Sequence, residues 1–248
     1  MKILIIGQGN VAVNLQYAFR KKQLDVPMVS SREGLENLPT DADVYIYAVS
    51  DTALEQVAAK VHVARRALHV HTSGTIPLTI FGEDKPHAGV LYPFQTFTKQ
   101  RLIEDFSNIP VFIEARNIDD ISAIYSLALM LSQHVYETTQ HDRERLHLTG
   151  VLVNNFPNYL YSVAERVLRD THIPFKALFP LIDETAAKLH ELTPMQAQTG
   201  PARRGDTIVM QRHLNLLNTP EDRELYTLIS DQISRLYNAP HTPESENP

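Results

Sequence analysis

A glycine-rich turn near the beginning of the chain has the residue types and the spacing of a diphosphate-binding loop. Gly7-x-Gly9-x-x-Ala12 directly follows the apolar run Ile3–Ile6 and leads into a segment with helical periodicity. Gly7 allows a tight turn from strand to helix, Gly9 lets a diphosphate approach the backbone, and Ala12 allows close helix–strand packing. The candidate dinucleotide-binding residues of this turn are Gly7, Gln8, Gly9, Asn10, Val11 and Ala12. The alternative is a glycine-rich turn that binds no ligand.

The end of the second expected strand, at 26–30, distinguishes between the two nicotinamide cofactors. A site for NAD usually has an acidic residue there, which binds the 2′-hydroxyl of the ribose. This chain has Ser30, Ser31 and Arg32 at that point, although Glu33 follows closely. Two hydroxyls and a guanidinium suit a 2′-phosphate, because arginine binds phosphate through a charge-assisted pair of hydrogen bonds. We therefore predict NADP, and a solvated turn formed by Ser31 and Arg32 is the alternative.

Two further strand ends should face the same cofactor, because ligands of open α/β sheets bind at the carboxyl ends of the strands. The candidates at these two strand ends are Val49, Ser50, Asp51, Thr72, Ser73 and Gly74. We expect the hydroxyl of Ser73 and the backbone N–H groups of Ser73 and Gly74 to lie near the nicotinamide. Ser50 and Asp51 could also cap the helix that begins near residue 52, and the two roles are compatible.

The elements that must position these residues alternate between apolar strands and amphipathic helices. Strands are predicted at 3–6, 26–30, 44–49, 67–71, 87–91 and 110–113, and the intervening helices begin at 11 and 52. This alternation predicts a Rossmann-type doubly wound parallel sheet over residues 1–115. From 116 to 238 the pattern is almost entirely helical, with a short strand at 134–137, and predicts an all-helical domain. The tail 239–248 contains three prolines and no apolar anchor after Ala239, so we expect it to be disordered.

Composition and charge exclude several other classes of protein. The 248 residues are 43% hydrophobic and 21% charged, which is typical of a globular protein, and the net charge of −6 argues against a general nucleic-acid binder. Cysteine is absent, so a disulfide framework and a cysteine nucleophile are excluded. His69 and His71 share one strand face without a third ligand at metal spacing, so no metal is expected. With no apolar run of about 20 residues and no signal-peptide pattern, we expect a cytoplasmic protein without a membrane partner.

The chain resembles a family of candidate NADP oxidoreductases, on the strength of several segments that occur in the same order. Beside the glycine-rich turn, these segments are Ala48-Val49-Ser50-Asp51, His71-Thr72-Ser73-Gly74, Tyr92-Pro93-Phe94-Gln95-Thr96-Phe97 and Thr199-Gly200-Pro201-Ala202-Arg203-Arg204-Gly205-Asp206. Members of that family have a Rossmann-like N-terminal domain and a helical C-terminal domain of unknown function. They are distantly similar to pyrroline-5-carboxylate reductase, ketopantoate reductase and the β-hydroxyacid dehydrogenases. The resemblance implies a nucleotide-binding domain and a helical domain that dimerises.

One departure from these relatives concerns the proton donor. The β-hydroxyacid dehydrogenases carry a catalytic lysine on the first long helix of the second domain, and this chain has no lysine over residues 101–175. His147, Asn154 and Asn158 share one face of the corresponding helix, and histidine suits proton donation near neutral pH. Asn154 or Asn155 could bind the substrate or the nicotinamide amide, and Asn158 could also contact the substrate. The alternative is that His147 is a packed or surface histidine.

Further residues are candidates for contacts to a substrate. Gln95 and Thr96 belong to an aromatic segment that we expect to line the cleft between the two domains. Arg203 and Arg204 could bind an anionic group such as a carboxylate. The alternative for these arginines is an ion pair with a neighbouring carboxylate in the loop that enters the next helix, for which Asp206 is a suitable N-cap.

Taken together, these residues predict an oxidoreductase that transfers a hydride between NADPH and a small carbonyl or imine substrate in the interdomain cleft. A dinucleotide-binding sensor or scaffold without turnover is the alternative, and the missing lysine favours it. The long apolar helices expected at 118–133 and 141–171 predict a homodimer through the helical domain.

Overall fold

A mostly parallel β-sheet forms the framework of the first part of the chain. The computed structural model describes residues 1–33 and 35–238, and its sheet has seven strands in the order β2-β1-β3-β4-β5-β6-β7. The strands are β1 (Ile3–Ile6), β2 (Met28–Val29), β3 (Val44–Tyr47), β4 (Leu68–His71), β5 (Ala88–Pro93), β6 (Val111–Ala115) and β7 (Val135–Glu137). Every residue of β1, β3 and β4 is buried. Burial on both faces explains why β1 is a continuous apolar run.

The predicted Rossmann-type sheet is confirmed, with one strand reversed. Strands β1 to β5 are parallel to one another. Strand β6 pairs with β5 in antiparallel orientation, and β7 is parallel to β6. A parallel pair needs a crossover connection, usually a helix. The segment between β5 and β6 contains no helix, so the chain returns along the edge of the sheet and β6 enters from the opposite end.

Helices cover both faces of the sheet. The helices of this part are α1 (Asn10–Lys21), α2 (Asp51–Lys60), α3 (Ile118–Leu129) and α4 (Gln140–Gly150), and α4 continues into a π-helical turn, Val151–Asn155. Phe19 of α1 and Ile124 of α3 are fully buried in one core cluster, and Leu54 of α2 and Phe81 are buried in a second. The two clusters draw on alternate residues of the strands, such as Ile5 for the first, as expected for a sheet buried on both sides.

A topological switch point lies beside β1. The chain passes from β1 to β2 on one side and then crosses to β3 on the other side of β1. Ile6 pairs with both Val29 and Tyr47, so the carboxyl ends of these three strands lie level with one another. Connections that leave in opposite directions open a crevice at such a point, which is where open α/β sheets bind ligands.

The chain divides into a sheet unit, Met1–Asn155, and a helical unit that begins at Phe156. The division falls after the boundary predicted at 115, because β7 extends the sheet and α3 packs on β5 and β6. The helix predicted over 141–171 is interrupted by the π-helical turn, and α5 ends at Leu168. Predictions for the tail 239–248 lie outside the described residues.

Polar side chains cap the N-termini of helices in the helical unit. Its helices are α5 (Phe156–Leu168), α6 (Phe179–Ala187), α7 (Pro194–Ala197), α8 (Pro201–Arg204), α9 (Thr207–Leu216) and α10 (Pro220–Asn238), with 3₁₀ turns at Phe175–Leu178 and Lys188–His190. The side chain of Asp206 accepts a hydrogen bond from the N–H of Val209, so its predicted role as N-cap is confirmed. Across the described residues, none of the helices has the length and apolar character needed to cross a membrane.

The buried carboxylate of Asp120 ties the start of α3 to β5. It accepts hydrogen bonds from the N–H of Ala88 (3.2 Å) and from the side chain of Asn117 (2.7 Å). Replacing Asp120 by alanine leaves a buried N–H without its acceptor, so Asp120→Ala should lower the free energy of unfolding by about 1–3 kcal/mol. The exposed Asp119 lies in the same first turn of α3 and controls for the loss of a charge near the helix N-terminus. In urea denaturation, Asp119→Ala should change stability by about 0.5 kcal/mol or less, and equal losses in the two variants would contradict the prediction.

Candidate functional site

A cavity of about 760 Å³ opens at the carboxyl ends of β1, β2 and β3, and we call it the switch-point cavity. The sequence-predicted residues that line it are Gly7, Gln8, Gly9, Asn10, Val11, Ser30, Ser31, Arg32, Val49 and Ser50. Ala12 does not line it, because its methyl group is fully buried in the core, as its predicted packing role requires. The structure therefore brings the glycine-rich turn and two of the three predicted strand ends to one cavity.

The two glycines of the turn differ in what the fold demands of them. Gly7 has a φ of 127°, and a Cβ there would lie 2.2 Å from the Ala48 carbonyl oxygen, so only glycine fits. A Cβ on Gly9 would lie 3.8 Å from that same oxygen, which is an ordinary contact. The fold thus tolerates a side chain at residue 9, and the space that Gly9 leaves open belongs to the cavity. That space fits a ligand that comes close to the backbone.

The electrostatics of the switch-point cavity favour an anion. Gly9 is the N-cap of α1 and provides no capping side chain, and the first turn of α1 contains no acid. Lys60 and Lys99 line the cavity together with Arg32, and no aspartate or glutamate is among its lining residues. The unpaired N–H groups of the helix N-terminus and the three cations together can hold a diphosphate and a further phosphate.

Lys99 is a lining residue that the sequence did not predict, because only tertiary contacts bring it to the cavity. Its backbone N–H donates to Oδ1 of Asn10 (3.3 Å), and the fully buried amide of Asn14 donates to the carbonyl of Thr98 (3.2 Å). These two asparagines hold the connection between β5 and β6 against α1. The spacing of the asparagines on α1 does not indicate which distant loop they bind.

A second cavity of about 330 Å³ surrounds His147, and we call it the His147 pocket. Its lining residues are Tyr92, Phe94, Gln95, Thr96, His147, Gly150, Val151, Val153, Asn154 and Asn155. The structure thus brings together five of the sequence-predicted residues, namely His147, Asn154, Asn155, Gln95 and Thr96. Amide, hydroxyl and imidazole groups line this pocket without a charged side chain from aspartate, glutamate, lysine or arginine.

The imidazole of His147 lies in a closely fitted niche. Its Nδ1 is 3.1 Å from the hydroxyl oxygen of Tyr92, and a Cβ on Gly74 would lie 2.7 Å from the same nitrogen. Gly74 therefore makes room for the ring. That its N–H faces the nicotinamide stays a prediction. Burial raises the pKa of Tyr92 to about 12, so its hydroxyl keeps its proton at neutral pH.

A buried ion pair that the sequence analysis missed anchors the helix that carries His147. Arg143 is fully buried and donates to the carboxylate of Glu114 on β6 (2.9 and 3.2 Å) and to the carbonyl of Ser73 (3.2 Å). Because residues four apart lie on one face of a helix, His147 projects from α4 on the same side as Arg143. The ion pair thus sets the position of His147 relative to the ends of β4 and β6.

With this geometry established, comparison with known proteins places the chain in a family. Residues 109–233 match the domain of unknown function DUF2520. The chain belongs to the DUF2520 family. A candidate NADP oxidoreductase from Bacteroides fragilis is 36% identical and has a TM-score of 0.87, and the alignment covers 94% of this chain and 98% of that one. The predicted resemblance is thereby confirmed, whereas no curated protein matches the chain significantly.

More distant solved structures share the fold of this DUF2520 chain. An imine reductase from Myxococcus stipitatus in complex with NADP+ has a TM-score of 0.60 at 14% identity, over 96% of this chain and 93% of that one. The pyrroline carboxylate reductase of Plasmodium falciparum with NADP bound has a TM-score of 0.58 at 11% identity, over the same shares of the two chains. At these identities the likeness extends to the fold alone.

The DUF2520 chain uses the strand end after β4 in a different way from the one predicted. The N–H of Ser73 donates to Nδ1 of His71 (3.2 Å), and the Ser73 hydroxyl accepts from the N–H groups of Thr75 and Ile76, each at 3.1 Å. The hydroxyl of the buried Thr72 lies 3.5 Å from the carbonyl oxygen of Tyr47. Ser73 therefore stabilises its own turn, and its N–H is already bonded to His71.

The strand end after β3 contributes Val49 and Ser50, but not Asp51, to the switch-point cavity. Ser50 is the N-cap of α2, yet its hydroxyl contacts the hydroxyl of Thr52 (3.2 Å) and makes no capping bond to the backbone. Asp51 accepts a hydrogen bond from the hydroxyl of Thr75 (2.7 Å) and does not line the switch-point cavity. Asp51 therefore links the turn after β4 to α2.

Three predicted substrate residues lie in the helical unit, outside the two cavities. Asn158 belongs to α5, and Arg203 and Arg204 belong to α8. The guanidinium of Arg203 donates to the carbonyl of Gln198 and lies 5.2 Å from the centre of the Tyr237 ring. Arg203 thus helps to hold α8 in place, while Arg204 is exposed.

Two buried histidines, His69 and His71, belong to strand β4. Nδ1 of His69 is 2.8 Å from the hydroxyl oxygen of Tyr47, and His69 and His71 both pack against Phe81. Burial, assisted by the charge of Lys85, lowers the pKa of His69 to about 4, and burial with the charge of Arg143 lowers the pKa of His71 to about 3. Both side chains are neutral at physiological pH. In the part of the chain that is described, no cluster of histidine and acidic side chains could hold a metal ion.

The lowered pKa values predict a loss of stability on mild acidification. Unfolded histidine takes up a proton below about pH 6.5, whereas folded His69 and His71 do so only near pH 4 and 3, so protons favour the unfolded chain. Each histidine should therefore remove about 2 kcal/mol of stability between pH 7 and pH 5. His69→Asn, measured by urea denaturation across this range, should roughly halve the pH dependence. The same substitution at the exposed His172 should leave the slope unchanged, and a slope in His69→Asn equal to that of the unmodified protein would contradict the assignment.

Proposed function

We propose that this chain is an NADP-dependent oxidoreductase that transfers a hydride between NADPH and a small carbonyl or imine compound. The observation that carries the proposal is the switch-point cavity beside Gly9. The fold would tolerate a side chain at this position, so the space that the glycine leaves beside the backbone is available to a ligand. The 36% identical candidate NADP oxidoreductase supports the same class of enzyme. A diphosphate at the N-terminus of α1 would bind to the N–H groups of the first turn.

The lining of the switch-point cavity favours NADP over NAD. The hydroxyls of Ser30 and Ser31 and the guanidinium of Arg32 follow β2, where an NAD-binding site usually has an acidic residue. The exposed Arg32 can turn its guanidinium towards a 2′-phosphate and bind it in bidentate fashion. When bound, the dinucleotide supplies the hydride from C4 of its nicotinamide ring.

The His147 pocket is proposed as the substrate site. Its volume of about 330 Å³ suits a small molecule. We assign to His147 the delivery of the proton and to Asn154 and Asn155 the hydrogen bonds that orient the carbonyl or imine group. Gln95 and Thr96 contribute further polar contacts from the connection between β5 and β6.

The helical unit is proposed to form a homodimer. Large apolar side chains on its helices are exposed, among them Phe156 (55%), Leu181 (67%), Ile208 (67%) and Leu228 (58%). None of the residues of α5, α6 and α9 is buried. So much exposed apolar surface is unusual for a monomer, and a second copy of this chain would cover it.

A titration with NADPH and NADH tests the proposed cofactor site. Gly9→Ala should abolish the binding of both cofactors, because its methyl group occupies the space of the diphosphate, while its far-UV circular dichroism stays unchanged. Arg32→Gln should weaken NADPH binding about tenfold or more and leave NADH binding unchanged, since only NADPH has the 2′-phosphate. Arg65→Gln removes an exposed arginine that does not line the cavity and should affect the binding of neither cofactor.

Failure of the unmodified protein to bind either cofactor would refute the proposal. Tight binding without turnover of small carbonyl and imine compounds would instead favour a sensor.

The proposed homodimer is tested by sedimentation velocity at micromolar concentration. The unmodified chain should sediment as a species of twice its 28.1 kDa mass. The double variant Leu181→Glu with Ile208→Glu should shift towards the monomer, because burial of two carboxylates in an apolar interface is costly. A monomer observed for the unmodified chain would overturn the proposal.

A further inference from the structure

We propose that Tyr92 is a positioning residue that donates a hydrogen bond to Nδ1 of His147 and so directs the Nε2–H of that histidine into the pocket. The inference rests on the proposed function for its chemistry, while the hydrogen bond is a property of this chain by itself. In this arrangement Nε2 of His147 carries the proton that is delivered to the substrate, and the hydroxyl of Tyr92 supplies the proton that replaces it on the imidazole.

Contacts from two residues at the Nδ1 edge fix the orientation of the imidazole. The hydroxyl oxygen of Tyr92 lies 3.1 Å from Nδ1, and Gly74 meets the same edge of the ring, where a Cβ would be 2.7 Å away. Tyr92 itself is held by an edge-on contact to Phe94, with 6.0 Å between the ring centres. The Nδ1 edge is therefore enclosed. Nε2 makes no hydrogen bond to the described residues, and His147 lines the pocket.

The direction of the hydrogen bond follows from the basicities of the two atoms. A neutral imidazole nitrogen is a far stronger base than a phenol oxygen, so the O–H donates and Nδ1 accepts. Burial raises the pKa of Tyr92 to about 12, which keeps the hydroxyl proton in place at neutral pH. Nδ1 of His147 is the one acceptor for the Tyr92 hydroxyl among the described residues. The neutral imidazole then carries its own proton on Nε2.

This arrangement provides a balanced proton relay during reduction. A hydride from a reduced nicotinamide dinucleotide forms the new C–H bond, and the electron pair of the C=O or C=N double bond moves to oxygen or nitrogen. That atom takes the proton from Nε2 of His147, and Nδ1 takes the proton from the hydroxyl of Tyr92. The result is an alcohol or amine, a neutral His147 protonated on Nδ1, and a tyrosinate that water reprotonates.

The relay avoids an unfavourable intermediate. A neutral imidazole that gave up Nε2–H without replacement would become an imidazolate, whereas tyrosinate is a much weaker base than the alkoxide that forms on the substrate. Arg143 is fully buried close by, and its positive charge offsets part of the rise that burial causes in the pKa of Tyr92, while the negative charge of Asp51 adds to that rise. Arg143 thus acts on the charge balance at Tyr92 as well as on the position of α4.

Nuclear magnetic resonance of the histidine rings tests the inference in the full chain without a substrate. Long-range ¹H–¹⁵N spectra of the unmodified protein should show His147 predominantly as the Nε2–H tautomer, with its signals assigned by their loss in His147→Asn. Tyr92→Phe should convert His147 to a mixture of tautomers. Tyr125→Phe, which removes a half-exposed hydroxyl on α3, should leave the His147 signals unchanged. A proton on Nδ1 in the unmodified protein, or an unchanged tautomer in Tyr92→Phe, would overturn the inference.

A cofactor titration separates this inference from the proposed function. Tyr92 does not line the switch-point cavity, so Tyr92→Phe should bind NADPH with unchanged affinity. Failure of the unmodified protein to bind NADPH would refute the proposed function and leave the tautomer result standing. In turnover, Tyr92→Phe should lower kcat about 100-fold with little change in KM, because the relay loses its second proton, and an unchanged kcat would overturn the relay.

Discussion

The approach of the Ala48 carbonyl to the backbone of Gly7 is the constraint on which the switch-point cavity depends. Gly7 directly follows β1 and Ala48 directly follows β3, and these two strands pair at Ile6 and Tyr47. The backbone must therefore leave the sheet at Gly7 while it passes close to the Ala48 carbonyl oxygen. Only a residue without a side chain and with positive φ can make that turn. The N-terminus of α1 is consequently directed at the cavity, and the electrostatic preference for an anion follows from this backbone geometry.

The His147 pocket depends on a different kind of interaction. Arg143 brings a full charge into the interior and satisfies it with Glu114 and the Ser73 carbonyl. Such a pair contributes little net stability, since desolvation offsets the attraction, but removal of one partner is strongly destabilising. The pair therefore acts mainly to specify position. It joins α4 to β6 and to the turn after β4, and thereby places the imidazole of His147 against Gly74 and Tyr92.

The connection between β5 and β6 links the two cavities. It contributes Gln95 and Thr96 to the His147 pocket and Lys99 to the switch-point cavity. The amide of Asn14 is fully buried, accepts from the N–H of Ile103 and donates to the carbonyl of Thr98, so this loop has a defined path over α1. A buried amide with all its groups bonded rigidifies its surroundings. Both cavities thus share one well-anchored segment, which suits a site where a cofactor and a substrate must meet.

The sequence by itself determined the fold class, the glycine-rich turn and most of the lining of the switch-point cavity. These features depend on local patterns, because apolar runs, helical periodicity and the Gly7–Gly9 spacing are properties of short segments. It also predicted His147, Asn154 and Asn155, which are close in sequence and line one pocket. Tertiary structure alone decided the contacts of Arg143, Tyr92 and Lys99. Each of these acts through a partner that is distant in the chain, and residue spacing contains no record of which distant groups meet.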